Sequence, residues 1–190
     1  NCPSRRSGLF EKTAFSMQNP LLYLNAIPQN QESRTDYVVN AGSRDIDWGT
    51  GPVTMAQGIY EIDNGPTTYG NGISHQRSEI ALSAITDGLS FTYLAGEKYL
   101  KADVYYTGQS LVDDHSMFAA DALDTHASTS NPPLQDDKSI DDYHRFGSAH
   151  IDGCNMLLCD GSVRMISYAI DLGTHQALST RAGQERVGEY

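Results

Sequence analysis

The clearest hydrophobic pattern lies near the C-terminal end of the chain, where two apolar runs flank an Asp-Gly pair. Residues 155–159 and 162–168 form the runs, and Asp160 and Gly161 separate them. Asp-Gly between apolar runs is typical of a β-hairpin, because a type I′ turn needs positive φ at both central residues. The pattern therefore predicts a hairpin over about 155–168.

Two further strands are predicted upstream. Residues 36–41 form a short apolar run that is typical of a buried strand. Residues 91–99 are rich in aromatic and β-branched side chains, which also favours a strand. Residues 78–85 between them fit either a helix or a strand, and Asp87 and Gly88 turn the chain.

A short helix is predicted after the hairpin. Asp171 can cap it, and it would extend to about Arg181, with Gly183 as its stop. Its apolar face would consist of Leu172, Ala177 and Leu178. Together the elements predict an α+β fold, with a mainly antiparallel sheet, a terminal hairpin, short helices and long loops, in one domain over 1–190.

Charge narrows the classes of function. The chain has 24 acidic residues against 13 Lys plus Arg, a net charge of −11. This balance disfavours a nucleic-acid binder and docking on an anionic lipid surface. The sequence has no apolar run of about 18 residues, the length of a membrane span. It begins at Asn1, as a processed or excised chain would.

Most of the acid lies in one segment. Residues 103–142 hold nine aspartates and one lysine, and so carry −8 of the −11. With Asn131-Pro132-Pro133, this composition predicts a long loop over about 103–145 and makes it a candidate working surface. Carboxylates at short spacing could bind calcium, with candidate ligands Asp113, Asp114, Asp121 and Asp124. The spacing lacks an EF-hand pattern, so a solvated acidic loop is the simpler interpretation.

Three cysteines leave at least one thiol unpaired within the chain. Cys154 and Cys159 are five residues apart, and on one strand they would face opposite sides. Cys2 is then the natural partner for one of them. We expect a Cys2–Cys159 disulfide, with three reduced thiols as the alternative.

Five short motifs recur in a recognisable order. The most specific is His150, nine residues, then Asp160-Gly161, an H-x9-DG signature. The others are Cys2-Pro3-Ser4-Arg5-Arg6, Arg34-Thr35-Asp36-Tyr37, Ile85-Thr86-Asp87-Gly88 with Ser90, and Gly96-Glu97-Lys98-Tyr99-Leu100. Together they resemble the DUF1559 family of Planctomycete proteins, also labelled a solute-binding family, from residue 2 to about residue 185.

The resemblance implies a type IV pilin or type II secretion pseudopilin. Such proteins have a long apolar N-terminal helix followed by a β-rich head, so this chain would be the exported head alone, in the envelope or outside the cell. It would assemble with itself or with other pilin-like subunits, and the absent helix would be its membrane contact. Two departures from the family pattern are Phe91 in place of Asn and Ile151-Asp152 in place of Pro-Gly.

Two motif residues have both structural and chemical interpretations. His150 could be a ligand or a proton-sensitive switch. We expect it instead to anchor the base of the hairpin by hydrogen bonds. Glu97 would need a partner if buried, and we expect a salt bridge to Arg164 or Arg181 rather than catalysis. Lys98 cannot serve, because neighbours on a strand point to opposite faces.

The sequence therefore favours a non-catalytic structural head. The alternative is a cell-surface module that binds a solute or glycan, for which candidate aromatic contacts are Trp48, Tyr105, Tyr106 and Tyr143. An enzyme is the weakest interpretation. Ser148, His150 and Asp152 have the residue types of a catalytic triad, but the serine lacks a G-x-S-x-G elbow.

Overall fold

The computed structural model describes residues 1–6, 10–11, 31–44, 54–57, 70–75, 78–118, 123–185 and 187–188. Its strands are β1 Phe10–Glu11, β2 Gln31–Glu32, β3 Tyr37–Gly42, β4 Tyr93–Glu97, β5 His126–Ser128, β6 Leu134–Gln135, β7 Gly147–Ser148, β8 Gly153–Leu158 and β9 Val163–Ser167. The α-helix α1 spans Leu172–Ala177, and 3₁₀ turns span Leu82–Ala84, Leu89–Phe91 and Ala102–Val104. Among the described helices, none has the length and apolar character needed to cross a membrane.

The central sheet has five strands in the order β5-β3-β4-β8-β9. Three of its four strand pairs are antiparallel, and β3 and β5 run parallel. Two small two-stranded sheets, β1-β2 and β6-β7, accompany it. The α+β fold with a mainly antiparallel sheet is confirmed.

The predicted elements differ in detail from the observed ones. The strands predicted at 36–41 and 91–99 correspond to β3 and β4. Residues 78–85 form neither a helix nor a strand but a single 3₁₀ turn, with Leu82 exposed. Asp171 caps α1 through Thr174 N, as predicted, but the helix ends at Ala177 and not near Arg181.

The hairpin forms as predicted, but its turn is of a different type. Gly161 N donates to Leu158 O at 2.9 Å, and Leu158 N donates to Ser162 O at 2.8 Å. Only Gly161 in this loop has positive φ, at 86°, whereas a type I′ turn needs two such residues. The loop is therefore a three-residue connection in which the glycine forms a bulge.

Asp160 secures this turn. Its Oδ1 accepts hydrogen bonds from Ser162 Oγ at 2.7 Å and from Ser162 N at 2.8 Å. These bonds lower the pKa of Asp160 to about 2. Asp160 and Gly161 are thus turn residues, as predicted.

Asp87 and Gly88 also lie in a turn, and Asp87 does more than turn the chain. Gly88 has φ 103°. The Asp87 carboxylate accepts hydrogen bonds from Gly183 N at 2.6 Å and Gln184 N at 2.8 Å. It therefore fastens the segment after α1 to the loop before β4.

One face of the sheet packs into the main core. Its largest fully buried side chains include Tyr93, Met156 and Leu158 from the strands, with Phe146 and Leu178 packed against them. The other face, here called the outer face, presents Val39, Ala95, Leu157 and Val163. These four are direct neighbours across β3, β4, β8 and β9, so they form one apolar row.

Candidate functional site

The candidate site lies at the end of β4, where Glu97, His150 and Cys2 come together. Glu97 is 1% exposed, and strand pairing places it on the outer face opposite Tyr37. Its Oε2 accepts hydrogen bonds from Asn155 N at 2.7 Å and from Asn155 Nδ2 at 3.1 Å. Its Oε1 lies 3.2 Å from His150 Nε2. The expected partners Arg164 and Arg181 are wrong, because the neighbouring strand and the β7–β8 loop supply these contacts.

His150 is held in place by its own backbone. Its N–H donates to Ser148 Oγ at 3.0 Å, and its carbonyl accepts from Tyr168 Oη at 2.8 Å. Its imidazole keeps 32% of its surface exposed. His150 is thus fixed at the entry to β8 by its backbone, while its ring remains partly exposed.

Cys2 completes a cluster with these two side chains. One ligand-type atom from each of Cys2, Glu97 and His150 lies within 4.8 Å of the others. Cys2 is 2% exposed. Its N–H donates to Asp36 Oδ2 at 2.6 Å, and its carbonyl accepts from Arg5 N at 3.0 Å. The N-terminal segment is therefore fixed against the end of β4.

A buried ionic network reinforces this attachment. Arg6 Nε donates to Asp36 Oδ1 at 2.8 Å, and both Arg6 guanidinium ends bind Asp113. Lys98 Nζ also reaches Asp113 Oδ1, at 3.1 Å. Arg5 pairs with Asp136 at 2.6 Å. These side chains have at most 3% exposure, and the network joins residues 1–6 to Lys98, directly after β4, and to the acidic segment.

The acidic segment is therefore only partly the solvated loop that its composition suggests, since Asp103 and Asp141 are exposed but three other aspartates are not. Asp113, Asp114 and Asp124 are 1%, 3% and 1% exposed. The segment also contains β5 and β6. Asp113 is neutralised by Arg6 and Lys98, which are distant in sequence, and these three buried carboxylates are not part of an exposed working surface.

A second cluster lies within this segment. His115 Nδ1 is 2.8 Å from Asp114 Oδ1 and 3.2 Å from Asp124 Oδ2. The hydrogen bonds to Asp114 and Asp124 raise the pKa of His115 to about 10, against the opposing effect of burial. The imidazolium ring is thus the counter-ion of the two carboxylates.

The predicted calcium ligands are only partly brought together. Asp114 and Asp124 lie in one cluster. Asp113 is bound by Arg6 and Lys98 instead. Asp121 lies outside the described residues. The four-carboxylate set is therefore wrong at Asp113, and calcium itself stays a prediction.

The expected Cys2–Cys159 disulfide is wrong, since all three cysteines are free thiols. Cys159 N donates to Thr92 O at the start of β4, whereas Cys2 lies by Glu97 at its end. Five residues of strand span about 16 Å, well beyond the Cα separation of a disulfide. Burial raises the pKa of the Cys154 thiol to about 12 and that of Cys159 to about 11.

The aromatic candidates for a glycan site have different surroundings. The Tyr105 hydroxyl donates to Asp136 and belongs to the ionic network. Tyr106 is 65% exposed, and its hydroxyl donates to Arg5 O. Tyr143 is 36% exposed, and Trp48 lies outside the described residues.

Sequence reasoning missed Arg5 and Arg6 as the counter-ions of the acidic segment. It also missed Cys2 as a neighbour of Glu97 and His150. A signal was present, because Cys2, Arg5 and Arg6 belong to one of the five motifs and Asp36 to another. The spacing of the motifs along the chain does not indicate which of them are in contact in the folded protein.

The fold and site define an α+β domain in which buried ion pairs and the hydrogen bond from Cys2 N to Asp36 fix the N-terminal segment beside the central sheet. The chain matches the family model described as "Protein of unknown function (DUF1559)" over residues 1–173. It therefore belongs to the DUF1559 family. Searches of curated proteins and of solved structures found no similar protein.

Proposed function

We propose that this chain is the non-catalytic structural head of an exported, pilin- or pseudopilin-like envelope protein. It would assemble through an apolar N-terminal helix that precedes residue 1. Copies of the protein, or other pilin-like subunits, would be its partners. The observation that carries the proposal is the apolar outer face of the central sheet.

This face has the character of a packing surface. The row Val39–Ala95–Leu157–Val163 crosses four strands, and β9 adds Met165 on the same side. Val163 is 63% and Met165 55% exposed, while Val39, Ala95 and Leu157 are half-buried. Contiguous exposed apolar surface on a soluble domain usually marks an interaction site. An apolar helix laid on this row would bury it.

The path of the chain also supports an N-terminal helix on the outer face. Cys2 lies beside Glu97, and Glu97 shares the outer face with the apolar row. A helix that ends just before Asn1 would therefore reach the head at the edge of this face. The Arg5–Asp136 and Arg6–Asp36 pairs hold residues 1–6 at this position. Load applied through the helix would pass directly into the sheet.

The test is assembly of the full-length gene product, including whatever precedes Asn1. Polymers sheared from cells, or reconstituted from detergent, are collected by sedimentation and viewed by electron microscopy. Val163→Asp places a charge on the apolar row, while Leu82→Asp is the matched control on an exposed 3₁₀ turn. We expect the wild type and Leu82→Asp to assemble and Val163→Asp to remain dispersed. Dispersed wild-type monomers, or equal assembly of both variants, would contradict the proposal.

Capture of a solute or glycan has less support. One of its candidate aromatic contacts is Tyr105, whose hydroxyl donates a hydrogen bond to Asp136 inside the ionic network. A thermal-shift screen of monosaccharides and disaccharides is the direct comparison, because a ligand stabilises only the state it binds.

A further inference from the structure

Three side chains from separate parts of the chain converge on one point. Cys2 comes from the N-terminal segment, Glu97 from the end of β4 and His150 from the β7–β8 loop. We propose that they bind one divalent cation of the zinc class. This metal site goes beyond the structural role proposed above and does not depend on it.

The spacing of the three side chains fits such an ion. Their ligand atoms all lie within 4.8 Å of one another, and Glu97 Oε1 is 3.2 Å from His150 Nε2. Tetrahedral zinc with bonds of about 2.0–2.3 Å separates its ligand atoms by about 3.3–3.8 Å. Side-chain movements below about 1 Å therefore complete the site.

The donor set selects the metal. A thiolate, an imidazole and a carboxylate are the ligands that zinc takes in proteins. Calcium and magnesium prefer oxygen alone, so Cys2 disfavours them. Three protein ligands leave a fourth position, and the exposed part of the His150 ring gives water and the ion a way in.

The surroundings hold each ligand in place. Asn155 binds Glu97 Oε2 through two N–H groups, which leaves Oε1 directed toward the cluster. Ser148 fixes the backbone of His150, and Asp36 fixes that of Cys2. Such outer contacts orient metal ligands and are characteristic of real sites.

The consequence is a cross-link. A metal at this point would join the N-terminal segment, β4 and the approach to β8 through one ion. It would replace the disulfide that the cysteines do not form. Because the ion binds the folded chain, its removal by a chelator lowers the melting temperature.

Cobalt titration tests the site directly. The reduced chain is prepared with several residues ahead of Asn1, so that no free amine lies beside Cys2. Cobalt(II) replaces zinc and reports a thiolate ligand by its charge-transfer absorption and tetrahedral geometry by its visible bands. We expect one equivalent to bind with both signatures and zinc to displace it. Absence of the thiolate band in the wild type would overturn the proposal.

Variants locate the ion. Cys2→Ser should abolish the charge-transfer band, and His150→Gln should weaken binding about 100-fold or more. Asn155→Ala, which acts on Glu97, should weaken it about tenfold. Cys159→Ser removes a thiol outside the site, and His115→Gln removes the histidine of the second cluster. Both are controls and should bind cobalt as the wild type does.

Circular dichroism of the metal-free proteins separates misfolding from ligand loss. Should Cys2→Ser fail to fold, the decision rests on His150→Gln, whose ring is partly exposed. Loss of the band in Cys159→Ser, or loss of binding only in His115→Gln, would place the metal elsewhere and overturn the assignment.

Discussion

Arg6 Nε lies 2.8 Å from Asp36 Oδ1, and neither side chain has any exposed surface. Asp36 also accepts a hydrogen bond from Cys2 N, so its carboxylate fixes two points of the N-terminal segment. Arg6 in turn binds Asp113, which lies more than a hundred residues away. One buried guanidinium thus couples the start of the chain to the sheet and to the acidic segment.

Arg6→Met should therefore destabilise the fold strongly. The substitution removes the Arg6 charge that neutralises the buried carboxylates of Asp36 and Asp113. This loss lowers the free energy of unfolding by about 3–5 kcal/mol. Urea unfolding followed by circular dichroism measures the loss. Lys101→Met is the control, because the Lys101–Asp103 pair is partly exposed and 3.8 Å apart. It should cost less than about 1 kcal/mol, and equal losses in the two variants would contradict the network.

His115 should make the fold less stable in alkali. Its folded pKa of about 10 exceeds the ordinary value of 6.5, because Asp114 and Asp124 hold the proton. Its contribution is fully present below pH 6.5 and is lost as the pH rises toward 10, since the unfolded chain releases the proton first. His115→Gln removes this dependence.

The measurement is the free energy of unfolding of both proteins at about pH 6 and about pH 9. The thiols of Cys154 and Cys159 also titrate more easily in the unfolded chain, so the difference between wild type and variant is the relevant quantity. The advantage of the wild type should shrink at the higher pH. A constant difference would show that His115 is neutral in the folded state.

His175 should act in the opposite direction, in acid. It is fully buried, and burial lowers its pKa to about 3. As the pH falls from 6.5 toward 3, His175 is protonated in the unfolded chain but stays neutral in the folded chain. The free energy of unfolding therefore falls. His175→Phe keeps the ring contacts with Tyr93 and Phe146 and removes the titrating group.

Thermal melts at about pH 7 and about pH 4.5 test this expectation. The melting temperature of the wild type should fall more steeply between them than that of His175→Phe. At neutral pH the variant should lie within about 1–2 kcal/mol of the wild type, since only the bond to Tyr93 Oη is lost. Parallel losses in acid would assign the sensitivity to the carboxylates instead.

The fold was largely predictable from local patterns. The β3 and β4 runs, the hairpin and the Asp171 cap are each signalled by residues close together in sequence. The turn type was not, because a bulge with one left-handed glycine and a type I′ turn share the Asp-Gly signature. The predicted end of the helix was wrong, because Gly183 is held by the Asp87 carboxylate and does not terminate α1.

The site was predictable only in its residues and not in its pairings. Composition made the acidic segment look solvated, since nine aspartates outnumber one nearby lysine. Its counter-ions Arg5, Arg6 and Lys98 arrive from other segments, and only the topology brings them near. The same holds for Cys2, whose neighbours are set by the end of β4.

Oxidative footprinting of Met165 reports whether an N-terminal helix covers the outer face. Met165 is 55% exposed on this face, and Met117, at 42%, is an internal control outside the sheet. Mass spectrometry compares both oxidation rates in the isolated chain and in the assembled full-length protein. Met165 should become protected on assembly, while Met117 should react as before. Equal oxidation of Met165 in both forms would contradict it.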